Sequence, residues 1–496
     1  MLISTLLAPW VQIPTQHDAE ITTLTLDSRT VAPGSAFVAL QGQKADGSKY
    51  KQDAIARGAR LVLQAATASN EAVFIDQGVL HVSLRDLTSH LPALAERFHE
   101  VISQGITLLG VTGTNGKTSC THFLADIYQQ AGVSCGIIGT LGAGFYGQLQ
   151  AGTHTTPDIL TLYSDINRLQ KQGANKIALE VSSHSIDQKR IAGLPFETGI
   201  FTNLTQDHLD YHGTMEQYAA VKYQFLQSAL TKNRVINVQD PYGRVWAKKL
   251  LVDHHPVMVF GMEEDVRQFA KESAVYASEI RLLPHGIQAM VHSPKGAGLL
   301  SIPLLGEFNL SNALAVIATL LLEGWDLHEL LPYFNKLSSV PGRMQVMGGG
   351  DKPVVVIDYA HTPDALEKAL LSLKRHAANR IICVFGCGGD RDRSKRAQMG
   401  RIASQLADHV ILTNDNPRSE EPLAIIHEIA AGIEESEALT VVPDRSKAIQ
   451  NSIQYARSGD VVLIAGKGAE RFQYIGDQAI PFQDEEEVRH RLMQFV

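Results

Sequence analysis

The sequence predicts an α/β protein of three domains, with a central parallel-sheet unit between an N-terminal α/β unit and a C-terminal Rossmann-like unit. Three observations lead there. The chain has 496 residues, and a soft prior of roughly 150 residues per domain makes that about three. Short strand-like runs alternate with helical patterns over most of its length. Gln104-Gly105 and Pro341-Gly342 punctuate changes of pattern, which sets the domains at 1–104, 105–340 and 341–496.

Composition narrows the class. Apolar residues at 44% and charged residues at 19% suit a folded, soluble protein and exclude a disordered tail protein. A chain this long buries several cores without disulfide or metal staples. The balance of 44 Lys+Arg against 52 Asp+Glu gives a net charge of −8, which argues against general nucleic-acid binding. Anionic substrates remain open to it, because local cations and backbone N–H groups hold those. Cys120, Cys135, Cys383 and Cys387 are too few for a disulfide scaffold, and their one close pair lacks the C-x2-C zinc spacing. The apolar start, Met1 to Trp10, has no basic segment and is interrupted by Pro9, so it does not read as a signal peptide. The longest apolar helix candidate, Ala313 to Leu322, falls short of the ~18 residues of a membrane span. A reducing cytoplasm is the expected location.

Along the chain, strands are expected at Thr23–Leu26 and Ala36–Leu40 around the Pro33-Gly34 turn, with helices at Lys51–Arg57 and Leu87–His99. A buried strand at Ile106–Thr112 runs into a Gly-rich loop. A helix follows from about Lys117 to Ala131, stopped by Gly132. Strands at Lys176–Val181 and Thr198–Thr202, with a helix at Ile159–Gln172 before the first, imply a parallel sheet covered by helices. Beyond Lys232 the pattern is less regular. The last third alternates again, with strands at Val354–Asp358, Ile381–Phe385, His409–Thr413, Thr440–Val442 and Val461–Ala465. Three of these end in turns: Gly386-Cys-Gly-Gly-Asp-Arg391, Asp415-Asn-Pro-Arg418 and Gly466-Lys-Gly468. Ligands of open α/β sheets bind outside the carboxyl ends of strands, so these turns are site candidates by position. No internal repeat or low-complexity tract is present.

The strongest chemical signal is Gly113-Thr-Asn-Gly-Lys-Thr118, followed by Ser119. Phosphate binding needs loop N–H groups, a helix N-terminus, a lysine charge and a hydroxyl for Mg²⁺. Gly113 and Gly116 permit the turn, Lys117 meets phosphates and Thr118 ligates the metal. Val111 stands where the strict Walker pattern has its first glycine, so the loop is a variant. The bland alternative is a Gly-rich strand–helix turn with an exposed lysine. Glu180 ends a strand in Ala178-Leu-Glu-Val-Ser-Ser-His184, where a carboxylate reaches Mg²⁺ above a sheet. Asn203 to Gly213 is dense in ionisable groups. Within it, His208 and His212 have zinc-pair spacing without the intervening glutamate of a zincin. Lys222, taken alone, reads as a surface lysine.

Together these residues resemble the Mur ligases, the ATP-dependent amino-acid ligases of bacterial peptidoglycan synthesis. The likeness runs through Asp27-Ser-Arg29, Gln43-Lys-Ala-Asp-Gly47, Gly113–Thr118, Glu180-Val-Ser-Ser-His184, Asn203–Gly213 with Lys222, Gly306-Glu-Phe-Asn309 with Asn312, Pro341-Gly-Arg343 and Asp358-Tyr-Ala-His-Thr-Pro363. It covers essentially the whole chain and is far more specific than the Gly-rich loop alone. It implies an N-terminal domain holding the UDP end of a substrate through Leu26, Ser28, Gln43, Lys44 and Ala45. Thr155, Thr156, Ser182, Gln188 and Arg190 would line the muramoyl-peptide path. ATP would sit on Gly113, Thr114, Asn115, Gly116, Lys117, Thr118 and Ser119, with Asn309, Arg343 and Asp358 contributing. Thr118 and Glu180 would bind one Mg²⁺. Glu180, His208 and a Lys222 carbamylated by CO₂ would be associated with a second, which makes Lys117, Glu180, His208 and Lys222 the catalytic set.

Amino-acid choice should lie in the last domain. Asp415-Asn-Pro-Arg418 looks like the signature of the diaminopimelate-adding members. Arg391 and Arg418 supply planar forks for the extra carboxylate, while Glu470 and the backbone of Gly466 accept from an ammonium. Asp415, Asn416 and Pro417 complete that set. Without the resemblance, Asp415–Arg418 reads as an ordinary turn into a helix. Relatives usually carry Gly-Lys-Gly-His-Glu where this chain has Gly466-Lys-Gly-Ala-Glu470, so a role for an imidazole at Ala469 is lost. The implied reaction joins meso-2,6-diaminopimelate to the D-glutamate γ-carboxylate of UDP-N-acetylmuramoyl-L-alanyl-D-glutamate through an acyl phosphate. A monomer is expected, with no nucleic-acid partner and no membrane span. The alternatives are another acceptor such as L-lysine or a folate-type substrate, a P-loop motor, switch or kinase forming no amide bond, and a nucleotide-binding regulatory module.

Overall fold

The computed structural model describes every residue except 42–45, 67–72, 103, 153, 284–285, 378, 435–437 and 495–496. It has the three-domain α/β architecture. The chain packs as two compact units, one of residues 1–112, 128–200 and 212–234, the other of 113–127, 201–211 and 235–496.

In the first unit, β1 (Thr23–Thr25), β2 (Ser35–Ala39), β3 (Leu61–Ala65), β4 (Val73–Asp76) and β5 (Val79–Leu84) form a sheet in the order β1-β2-β3-β5-β4. All its pairs are parallel except β4 with β5. The helix Leu87–His99 spans the residues expected of it. Eleven further strands belong to the middle of the chain. The first unit carries β6 (Thr107–Thr112), β7 (Cys135–Gly139), β8 (Gly142–Phe145), β9 (Gln148–Gln150), β10 (Lys176–Glu180) and β11 (Phe196–Phe201, its last residue excepted). β10 pairs in parallel with β6 on one side and β7 on the other. Their near-continuous apolar runs are what a strand buried on both faces requires.

The parallel expectation fails at the edges. β7, β8 and β9 pair antiparallel. Gly142 (φ +118°) and Gly147 (φ +76°) supply the turns, and a Cβ on Gly142 would collide with the Gln150 carbonyl. β12 (Thr231–Asn237) falls across the two units, and β13 (Val257–Met262) lies in the second, as do β14 (Ala274–Leu283), β15 (Gly286–Ser293) and β16 (Gly296–Ile302). β14 to β16 form an antiparallel meander. The less regular pattern seen beyond Lys232 is this meander, together with the helix Pro241–Val252.

Also in the second unit, β17 (Gln345–Gly348), β18 (Val354–Asp358), β19 (Ile381–Phe385), β20 (His409–Leu412), β21 (Leu439–Val441) and β22 (Val461–Ala465) make a six-stranded sheet in the order β17-β18-β22-β19-β20-β21. It is parallel apart from β17. Alternate residues feed two cores: Val356, Cys383, Phe385, Val410, Leu412 and Leu463 on one face, Val355, Ile357, Ile382, Val384, Val462 and Ile464 on the other. This is the doubly wound arrangement expected of the last third. β23 (Phe472–Ile475) and β24 (Gln478–Pro481) add a hairpin.

The apolar run Ala313–Leu322 lies within the helix Glu307–Leu322, buried on nearly every side. Among the described residues no helix is long and apolar enough to cross a membrane. All four cysteines are buried, and none is in a disulfide. Burial pushes the thiols of Cys383 and Cys387 up to about 12, which makes them unreactive packing residues.

One buried ion pair braces the six-stranded sheet at the carboxyl ends of β20 and β22. Arg445 donates from Nε and Nη2 to the two Asp484 oxygens at 2.7 Å each, with both side chains fully buried. It also donates to the Ala465 and Asn414 carbonyls, just before two of the polar turns. Breaking a buried pair strands the remaining charge. Asp484→Ala is therefore expected to lose about 3–5 kcal/mol in urea unfolding. Glu263→Ala, whose partner Arg267 is 72% exposed, is expected to lose less than about 1 kcal/mol.

Candidate active site

The Gly-rich loop leaves β6 and opens the helix Lys117–Gln130. Gly113 holds φ +149° and Gly116 φ +87°. A Cβ on Gly113 would collide with the Thr202 hydroxyl, and one on Gly116 would meet Asn312 Oδ1 at 2.5 Å. Main-chain and side-chain groups past β11 brace the loop. Thr114 N donates to Asn203 O at 2.9 Å, Asn115 N to Asn203 Oδ1 at 2.9 Å, and Thr202 Oγ1 to Asn115 O at 2.5 Å. Lys117 Nζ folds back onto the Gly113 and Thr114 carbonyls at 2.9 Å each. Thr118 and Ser119 are buried at the helix start. Asn309 donates to Leu305 O and accepts from Asn312, the residue against Gly116.

In the first unit, Glu180 ends β10 and is fully buried. Its carboxylate accepts from Thr140 N at 2.9 Å and Thr140 Oγ1 at 3.1 Å. A Cβ on Gly139 would collide with Glu180 Oε1, so glycine is what lets the carboxylate lie there. Thr155 shares a hydrogen bond with Thr140. Thr156 Oγ1 donates to Glu180 O at 2.7 Å and to Ser182 Oγ at 3.2 Å. Arg190 donates to Thr156 O and, twice, to Gln188 Oε1. Thr155, Thr156, Ser182, Gln188 and Arg190, named together from the resemblance, form one network with Glu180.

Lys222 is 1% exposed in the helix Met215–Gln227, with Nζ 4.9 Å from the Tyr218 ring centre. This corrects its reading as a surface lysine. His212 is also buried, its Nε2 2.9 Å from Ser183 Oγ. His208, in the second unit, holds φ +54° and lies 3.5 Å from Asp207. A left-handed non-glycine residue is uncommon and concentrates at functional loops. Among the described residues, no group of three or more His, Cys, Asp or Glu is placed to hold a metal ion.

Asp358, at the end of β18, accepts from Met344 N at 2.7 Å, and Arg343 lies over the Tyr359 ring at 4.6 Å. Burial pushes the Asp358 carboxyl up, and Arg343 opposes that shift. The three turns of the last domain meet. Gly389 N donates to Asn416 O at 2.9 Å and Arg418 Nη1 to Gly389 O at 2.7 Å. Cβ atoms on Gly386, Gly389 and Gly466 would collide with Thr413 O, Pro417 O and Asp415 Oδ2 respectively. Asn416 Nδ2 donates to Glu470 Oε2 at 2.8 Å. Arg418 holds φ +52°, and Arg391 Nη1 donates to Asp390 O. Burial pushes the Asp415 carboxyl up, against the pull of Arg445 and Lys467.

Leu26 and buried Ser28 sit just past β1, where Asp27 accepts from Arg29 through Nε and Nη2. Gln43, Lys44 and Ala45 lie outside the described residues. Sequence reasoning missed Lys467 and Arg396, both with fully buried side chains. Arg396 donates to Glu420 through both terminal nitrogens, to Glu428 and to Gly388 O, and holds the Glu420 carboxyl down at about 2. Its Lys-Arg context looks like a solvated face. Lys467 had one signal, its place between two glycines after a buried strand.

A braced phosphate-type loop after a central strand, and a charged turn cluster at the strand ends of a doubly wound domain, define the chain as a multidomain α/β ligase. It belongs to the Mur ligase family. Residues 111–320 match the Mur ligase middle domain, 342–468 the Mur ligase glutamate ligase domain and 20–99 the Mur ligase family catalytic domain. UDP-N-acetylmuramoyl-L-alanyl-D-glutamate–2,6-diaminopimelate ligase of Pseudomonas aeruginosa is 45% identical over 482 residues, 96% of each chain. A solved structure of a ligase of the same name is 32% identical with TM-score 0.70, covering 100% of this chain and 99% of the other. The MurF ligase of Thermotoga maritima, solved in complex with ADP, shares the fold at 17% identity and TM-score 0.65, covering 97% of this chain and 99% of that one.

Gly113→Ala combines a collision with an unfavourable φ, whereas Gly132 (φ +76°) has nothing within 4 Å of an added Cβ. In urea unfolding, Gly113→Ala is expected to cost about 2–3 kcal/mol and Gly132→Ala about 1 kcal/mol. Equal losses would contradict the close packing of the loop on Thr202.

Proposed function

We propose that this chain is the ATP-dependent ligase that adds meso-2,6-diaminopimelate to the D-glutamate γ-carboxylate of UDP-N-acetylmuramoyl-L-alanyl-D-glutamate. The observation that carries the proposal is end-to-end likeness to enzymes of that name. Residues 1–104 capture the UDP end, 105–340 carry the ATP chemistry and 341–496 select the amino acid. The protein works as a monomer in the cytoplasm, a compartment that supplies ATP and keeps its cysteines reduced.

Lys117 and the N–H groups of Gly113–Thr118 hold the ATP phosphates, and Asn309, Arg343 and Asp358 complete the ATP site. Thr155, Thr156, Ser182, Gln188 and Arg190 orient the peptide arm so that its γ-carboxylate meets the γ-phosphorus. A carboxylate oxygen attacks, the bond to the ADP oxygen breaks, and an acyl phosphate forms. The diaminopimelate amine then attacks the acyl carbon, loses a proton and expels phosphate, leaving an amide. Positioning and electrostatics dominate such transfers.

The donor set fits Mg²⁺: a hydroxyl at a helix start and a buried carboxylate are hard oxygen ligands. Thr118 and Glu180 would hold one ion, with Glu180, His208 and carbamylated Lys222 associated with a second. An ion held by these residues would neutralise phosphate charge. Desolvating an ammonium is costly, and carbamylation of the buried Lys222 replaces that cation with an oxygen ligand.

Phosphate release with the UDP-muramoyl-dipeptide is expected to need diaminopimelate and to fall at least 100-fold in kcat/KM with lysine, because the arginines at 391 and 418 lose their carboxylate. Equal turnover with lysine would overturn the acceptor. Phosphate release that persists without either peptide substrate would overturn the ligase. Lys222→Ala is expected to lose at least about 100-fold in kcat and recover part of it with added short carboxylates; unchanged activity would overturn the carbamate.

A further inference from the structure

Lys467 lies in the turn after β22, with its side chain fully buried. An ammonium has three N–H donors, and the three acceptors here are Asn416 Oδ1 at 3.0 Å, Glu470 Oε2 at 2.9 Å and Phe472 O at 2.8 Å. No donor is left for a ligand. Lys467 therefore acts on its neighbours.

Its effect on Asn416 is specific. Asn416 Oδ1 accepts from Lys467 and also from the Tyr474 main-chain N–H at 3.0 Å, and neither partner can accept in return. Asn416 Nδ2 donates to a Glu470 oxygen, which cannot donate when ionised. Three partners of fixed polarity allow one orientation of the amide. With Oδ1 saturated, Asn416 has one N–H left to offer. Glu470 Oε2 is taken twice, and among the described residues Oε1 accepts no hydrogen bond.

We propose that Lys467 is a positioning residue that sets the donor–acceptor polarity of the amino-acid pocket. It turns an Asn416 N–H toward the substrate's carboxylate and leaves Glu470 Oε1 for the substrate's ammonium. The pocket thus reads one zwitterionic head group in one direction. Without Lys467, Asn416 loses the partner that decides its orientation, and Glu470 loses the charge that holds one oxygen inward. This inference rests on the amino-acid site proposed above, but concerns how the donors and acceptors of that pocket are oriented, whichever amino acid the enzyme ligates.

The test uses the full-length enzyme with whichever amino acid the wild type ligates, so a wrong acceptor and a wrong polarity are separate results. Lys467→Met is expected to raise KM for that amino acid at least about tenfold, while KM for ATP stays within about twofold. Asn416→Asp keeps acceptors for Lys467 and Tyr474 but replaces the donor toward Glu470 and the substrate with an acceptor. It is expected to raise the same KM by at least about tenfold, while KM for ATP stays within about twofold. If Lys467→Met does not fold, Asn416→Asp decides alone. An unchanged amino-acid KM in either folded variant, or a parallel rise in KM for ATP, would overturn the assignment.

Discussion

Both candidate sites depend on how closely polar loops pack beyond the carboxyl ends of strands. Backbone approaches backbone, or a buried side chain, at distances that no Cβ allows. Gly113 lies against Thr202, Gly139 against Glu180, Gly386 against Thr413 and Gly389 against Pro417. Loops so packed bury main-chain polar groups that must find partners. The partners are side chains: Asn203 and Thr202 for the Gly-rich loop, Arg418, Arg396 and Arg445 for the turns of the last domain. Each loop is thereby fixed before any ligand arrives, which limits the ordering cost of binding.

The same bracing explains how an acidic chain handles anions. The net charge of −8 describes the whole surface, whereas recognition depends on local groups. Arg396 and Arg445 are committed to internal carboxylates, and Lys467 to Asn416, Glu470 and a carbonyl. Each is fully buried and held in place. They shape the loops that carry Arg391, Arg418 and Glu470, the residues proposed to meet the amino acid. Removing the carboxylate partner of a buried cation strands its charge, so each of these cations stays tied to its loop.

Much of this was legible in the sequence. Apolar runs bounded by turns located β18, β19 and β22 to the residue, and the Gly-rich loop announced itself by composition. The residues proposed for the muramoyl path were named from the family resemblance, and their shared network with Glu180 became visible only in the fold. The antiparallel edges escaped because hairpins such as Gly142–Gln150 carry little apolar signal. Lys222 looked like a surface residue because its helix is only weakly amphipathic, and burial there is decided by tertiary packing. Lys467 and Arg396 escaped because a cation's burial depends on partners distant in sequence: Asn416 for one, Glu420 and Glu428 for the other.

The central claim is that the chain activates a carboxylate by phosphorylation before an amine attacks it. The most direct test starts from UDP-muramoyl-dipeptide labelled with ¹⁸O in the γ-carboxylate of its D-glutamate. Single-turnover ligation in unlabelled water should then place one labelled oxygen in the released phosphate for each amide formed. Amide formation with phosphate that carries no label would contradict the account.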